Sequence, residues 1–125
     1  MYKVNWIFIG AFFGFISVAF GAFGSHLLKG ILSPENFEIW DTGVKYQMFH
    51  AVVIIVLGYR KEKYSLSCFL FTIGVLLFSF SLYLYSYTNL KAFAMITPLG
   101  GLLLLSGWLI LMVQSFVKND HCKVN

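Results

Sequence analysis

Charge divides this chain into four apolar stretches. Three of them carry no charged residue at all: Val4 to Ser25 (VNWIFIGAFFGFISVAFGAFGS), Tyr64 to Leu90 and Ala92 to Val117. The fourth, Trp40 to Arg60 (WDTGVKYQMFHAVVIIVLGYR), is apolar in its second half, but Asp41, Lys45, Gln47 and His50 punctuate the first. A spanning helix needs about 20 mostly apolar residues. The pattern therefore predicts helices over about residues 4–27, 34–59, 64–87 and 92–117. Together they make a single four-helix transmembrane domain covering 1–125. The links around 60–63 and 88–91 are so short that successive helices must run antiparallel. The expected fold class is an all-α membrane protein, a four-transmembrane-helix antiparallel bundle.

Local signals refine the helix ends. Ser33 reads as an N-cap, Pro34 as a first-turn residue, and Glu35 and Glu38 sit near the positive end of the helix dipole. The second helix is expected to begin on the membrane surface, with Phe37, Ile39 and Trp40 touching lipid or neighbouring helices. In the last stretch, Pro98 followed by Gly100 and Gly101 predicts a kink or a close helix contact. The first stretch is too long for a signal-peptide core of about 7–15 residues, so it is read as a retained helix. It also carries Gly10, Gly14, Ser17, Gly21 and Gly24, spaced alternately four and three apart. Small residues on one seam let two helices approach closely in lipid. The seam is a candidate for homo-oligomer formation.

Composition agrees with the pattern. Hydrophobic residues make up 59% of the chain and charged residues only 11%, against about 25% charged in an ordinary soluble domain. The net charge of +4 comes from short clusters between apolar runs and makes no basic stripe, so nucleic acid is excluded as a partner. Cys68 and Cys122 have neither metal-ligand nor redox spacing, and no disulfide, metal or cofactor is expected. Lys3, Arg60, Lys61, Lys63, Lys118 and Lys123 fall on one side of the membrane; Lys29, Lys45 and Lys91 fall on the other. The positive-inside rule then puts both termini in the cytoplasm and the segment from His26 to Asp41 outside a plasma membrane.

With Arg60 at the cytoplasmic edge, the helical rise places His50 roughly 15 Å deep, near the middle of a hydrocarbon core about 30 Å thick. Gln47 lies one turn further out, and Lys45 is close enough to the outer surface for its stem to snorkel and pair with Asp41. Trp40, Gly43, Gln47 and His50 share one helix face, with Tyr46 beside His50. An ionisable residue inside a membrane is a functional-site hypothesis by default. A neutral imidazole hydrogen-bonded to a backbone carbonyl or a serine across the helix interface is the favoured explanation of His50. His50, Gln47 and Tyr46 are the candidate intramembrane site.

The outer-face candidates are His26, Asp41 and Lys45. A triad of Ser25, His26 and Asp41 lacks an oxyanion hole and a nucleophile elbow, and His26 with His50 lacks a third zinc ligand. No catalytic residue is assigned. His121 reads as solvated, and Tyr83, Tyr85 and Tyr87 as an interfacial aromatic belt.

Three separated segments, GAFGSHLLKG, WDTGVKYQMFHA and ITPLGGLLLLSGW, resemble a known group. It is the domain-of-unknown-function family 423, also called uncharacterised protein family 382 and related to eukaryotic transmembrane protein 256. The family pattern G-A-F-G-A-H-G-L is matched except at Ser25 and Leu27, and the T-G-x-x-Y-x-x-x-H segment ending at His50 and the T-P-x-G-G turn from Thr97 to Gly101 also match. The resemblance implies a multi-pass inner-membrane protein and no particular activity. It marks Gly21, Gly24, His26, Tyr46, His50, Pro98, Gly100 and Gly101 as positions of interest.

Two functions compete. One is a non-enzymatic structural or accessory bundle whose partners are the lipid bilayer and either further copies of itself or a larger membrane complex. The other is a small oligomeric transport or proton-linked module in which His50 titrates, with Gln47 and Tyr46 positioning water and His26 at the entrance.

Overall fold

The computed structural model describes residues 3–117. His121, Cys122, Lys118 and Lys123 lie outside the described residues. Four long helices follow in order, α1 Trp6–His26, α2 Pro34–Gly58, α3 Ser65–Thr88 and α4 Lys91–Phe116. Short 3-10 turns lie at Leu28–Gly30 and Lys61–Tyr64, and there is no strand among the described residues. Each helix begins and ends within two residues of the limits expected from the charge pattern.

The ends have local causes. The Asn5 side chain accepts the Phe8 amide at 3.1 Å, and Ser33 accepts the Asn36 amide at 3.2 Å ahead of Pro34; each supplies an acceptor to an otherwise orphaned first-turn N–H. Asn89 closes α3 in the left-handed region at φ 57°, its amide bonded to Tyr85 O at 2.8 Å. Asparagine tolerates that conformation better than other residues with a Cβ. The Asn36 side chain then donates to Asn89 Oδ1 at 2.8 Å, tying the start of α2 to the turn between α3 and α4.

The helices pack in chain order, α1 on α2, α2 on α3 and α3 on α4, while α1 and α4 stay apart. The antiparallel bundle is thus an open row with α1 and α4 at its edges. Glycines set the closeness of each contact. At Gly10 an added Cβ would lie 2.6 Å from Ile55 and 2.8 Å from Ala51 O. At Gly100 it would fall on the Phe78 backbone. The buried core joins Phe13, Ile54, Phe71, Val75 and Leu104 from all four helices.

Polarity is arranged inside out. Ser17, Gln47, His50, Ser67, Ser79, Ser81 and Ser86 are buried, whereas Phe8, Phe12, Phe15, Leu102, Leu105, Leu109 and Phe116 are exposed. Continuous apolar surface on this scale marks contact with a membrane or a partner. The helices Trp6–His26, Glu62–Thr88 and Lys91–Phe116 are long and apolar enough to cross a bilayer. Helix α2 has 25 residues and the same reach, but its polar residues lower its average hydropathy below theirs. Of these, Gln47 and His50 face inward while Glu35, Glu38 and Lys45 are exposed in its first half, and Phe49, Val52 and Val56 keep the outer surface of its second half apolar.

Candidate functional site

Helix periodicity brings Trp40, Gly43, Gln47 and His50 to one buried face of α2. From that face each polar group reaches a different neighbour. The Trp40 indole N–H donates to Phe20 O on α1 at 3.0 Å, in space left free by Gly24. Gln47 is fully enclosed: its Nε2 donates to Phe13 O on α1 at 2.9 Å, and its Oε1 accepts the Tyr83 hydroxyl of α3 at 2.8 Å. Phe13 O also accepts Ser17 Oγ at 2.8 Å. One amide therefore ties three helices together. Gly43 makes room for this, since a Cβ there would sit 2.7 Å from the Tyr83 ring.

His50 is held by both ring nitrogens. Nδ1 lies 2.7 Å from Tyr46 O, and Nε2 lies 3.2 Å from the Trp108 indole nitrogen of α4. An indole N–H can only donate, so Nε2 is an acceptor and the network assigns the proton to Nδ1, which donates to Tyr46 O. Phe49, Phe71 and Trp108 surround the imidazole at 5.4, 5.4 and 6.0 Å between ring centroids. A second proton, on Nε2, would point one N–H at another.

Because α2 and α4 both pack closely on α3 but meet each other only through side chains such as His50, Phe49 and Trp108, a groove of about 540 Å³ opens between them, with Tyr46 and His50 on one wall and Pro98, Leu105 and Trp108 on the other. A recess of about 360 Å³, reaching Lys45 and Phe49, adjoins it through Tyr46, His50 and Trp108. Tyr46 is 45% exposed and rests against Phe78 at 4.5 Å. Its backbone carbonyl, rather than its hydroxyl, serves His50.

The outer candidates are only partly assembled. Asp41 and Lys45 pair at 2.6 Å, one turn apart as expected. His26 is exposed, with no hydrogen bond or ion pair to Asp41, Glu38 or Lys45 among the described residues, and Ser25 Oγ donates to Gly21 O at 3.0 Å. No group of three His, Cys, Asp or Glu side chains lies close enough to hold a metal ion among the described residues.

Two expectations need correction. Tyr83 does not belong to an aromatic belt: it is buried and bonded to Gln47, whereas Tyr87 is exposed. The glycine seam of α1 is not free for a second copy. Gly10, Gly21 and Gly24 face Ile55, Val44 and Trp40 of α2, Ser17 is buried, and only Gly14 has open space beside it. Any oligomer built through α1 would have to use its phenylalanine-lined outer side. The sequence alone does not mark Tyr83 and Trp108 as partners of the site. The signal for Tyr83 lay in Ser79 and Ser86, which share its face of α3 and are buried with it.

With Gln47, His50 and buried serines enclosed between its helices, and Phe8, Phe12, Phe15, Leu105 and Phe116 on its surface, this is a helical membrane protein. It belongs to the family described as "Protein of unknown function (DUF423)", whose profile matches residues 20–101. The chain is 39% identical to a UPF0382 membrane protein of Staphylococcus haemolyticus over 88% of this chain and 93% of the relative. It is 39% identical to a UPF0382 membrane protein of Haemophilus influenzae over 91% and 95%. With the UPF0382 inner membrane protein YgdD of Escherichia coli the identity is 36%, over 86% of each chain. No solved structure matches it.

Proposed function

We propose that this protein is a non-enzymatic structural or accessory bundle of the plasma membrane, with both termini cytoplasmic, in which Gln47 and His50 hold helices together. The observation that carries this reading is the engagement of both nitrogens of His50, one by its own helix and one by Trp108. A proton-relaying imidazole needs a free nitrogen and a wet path to it. Here the ring is 4% exposed and lies among aromatic side chains. Interhelical polar contacts in membranes contribute about 0.6–2 kcal/mol, enough to fix partner and register without chemistry. The relative in Escherichia coli is named an inner membrane protein, which supports the location. The cytoplasmic termini rest on the lysine and arginine distribution.

Proton flux into proteoliposomes containing the full chain tests the reading. The expected result is no flux above empty vesicles between about pH 5 and 8, the range in which histidine ordinarily changes charge. A pH-dependent leak abolished by His50→Ala would establish the transport module instead.

A further inference from the structure

We infer that the groove between α2 and α4 binds one zwitterionic phospholipid, with an acyl chain along the groove and the headgroup across the Asp41–Lys45 pair. The groove's volume of about 540 Å³ falls within the roughly 300–1,000 Å³ of small-molecule sites. It opens through Leu102 and Leu105, both strongly exposed on an apolar surface. Its occupant must therefore arrive from the bilayer. The adjoining recess carries the path from the His50 region to Lys45.

Charge identifies the head. Lys45 is 74% exposed at its side chain and paired with Asp41 at 2.6 Å, and Glu38 lies one turn earlier on α2. An anionic headgroup approaching Lys45 meets the Asp41 and Glu38 carboxylates as well. A headgroup with a phosphate and an ammonium satisfies both signs, phosphate on Lys45 and ammonium on Asp41. Tyr46 lines both the groove and the recess that reaches Lys45, and its hydroxyl, which has no hydrogen-bond partner among the described residues, can donate to an ester carbonyl.

A second copy fits this groove less well. Helices associate in lipid through rows of small residues; Gly101 is the one glycine lining this groove, whereas Gly43, Gly74, Gly100 and Gly107 are already covered by Tyr83, Leu104, Phe78 and Phe71 within the chain. The rims are Phe49, Leu102 and Leu105.

The test is native mass spectrometry of the full, delipidated chain, titrated with phosphatidylethanolamine, phosphatidylcholine and phosphatidylglycerol of identical acyl chains. One tightly held lipid is expected, with either zwitterionic head preferred over phosphatidylglycerol by about five- to tenfold, the scale of one or two partly exposed charge contacts. Asp41→Asn should bring the preference close to parity. Gly101→Leu fills the groove from a position where a Cβ makes only ordinary contact with Phe78, at 3.8 Å. That variant should lower occupancy about fivefold or more while keeping the parent's unfolding temperature. If it fails to fold, Leu105→Trp, placed on the exposed rim, narrows the same groove. Phosphatidylglycerol bound as tightly as the zwitterions, occupancy untouched in the groove-filling variant that folds, or a protein dimer occupying the groove in place of lipid would each overturn the inference. Such a failure leaves the proton-flux result, and with it the proposed function, standing.

Discussion

Gln47 and His50 lie one turn apart on one face of one helix, yet the fold uses them differently. Gln47 is enclosed by α1, α2 and α3, and each end of its amide bonds to a neighbouring helix. His50 bonds once to its own helix and once to Trp108, at the edge of the gap between α2 and α4. Gln47 is a joint closed on every side, whereas His50 is a joint that also forms part of the groove wall. Their common periodicity predicts burial for both; the order in which the helices pack decides the role.

The harshest way to separate the two is Gly100→Leu. Its side chain would be driven into the Phe78 backbone, forcing α3 from α4 and removing Trp108 from His50, while Gln47 bonds to α1 and to Tyr83 of α3, not to α4. We expect a loss of about 3 kcal/mol or more, above ordinary overpacking because the obstacle is backbone. Unfolding in detergent micelles measures it. Stability within about 0.5 kcal/mol of the parent, where surface substitutions fall, would mean that α3 and α4 are not so close.

Single substitutions sharpen the comparison. Gln47→Leu strands the Tyr83 hydroxyl inside the protein and should cost about 2 kcal/mol, whereas His50→Phe keeps the aromatic packing and should cost about 1 kcal/mol or less. Reversed magnitudes in the same unfolding assay would make His50 the principal joint. Gly14→Ala is expected to have the smallest effect, at most a few tenths of a kcal/mol against folding or slightly in its favour through helix propensity. Gly10→Ala, which collides with Ile55 and Ala51 O, should be clearly worse. Equal effects would break the assignment of the α1 seam to α2.

The legibility of the sequence follows the range of the interactions. Helix ends were readable because caps and charge breaks are local, as Ser33, Pro34 and Asn36 illustrate. So was the buried face of α2, which needs only the 3.6-residue period. The Asp41–Lys45 pair was readable for the same reason. Partners across helices were not. Nothing near Tyr83 or Trp108 in sequence announces a bond to Gln47 or His50, separated by 36 and 58 positions. A seam of small residues says that something packs there without naming it, and α2 took the place reserved for another copy. The open row was hidden too, since antiparallel links are equally compatible with a closed bundle.

The central claim is that His50 is a joint carrying its proton on Nδ1 and accepting Trp108 on Nε2. Nitrogen NMR of the ring in nanodiscs, recorded between about pH 5 and 8, reads this directly. The account predicts one neutral Nδ1–H tautomer throughout, with Nε2 shifting towards a free acceptor in Trp108→Phe. A ring that titrates within that range, or that carries its proton on Nε2, would contradict it.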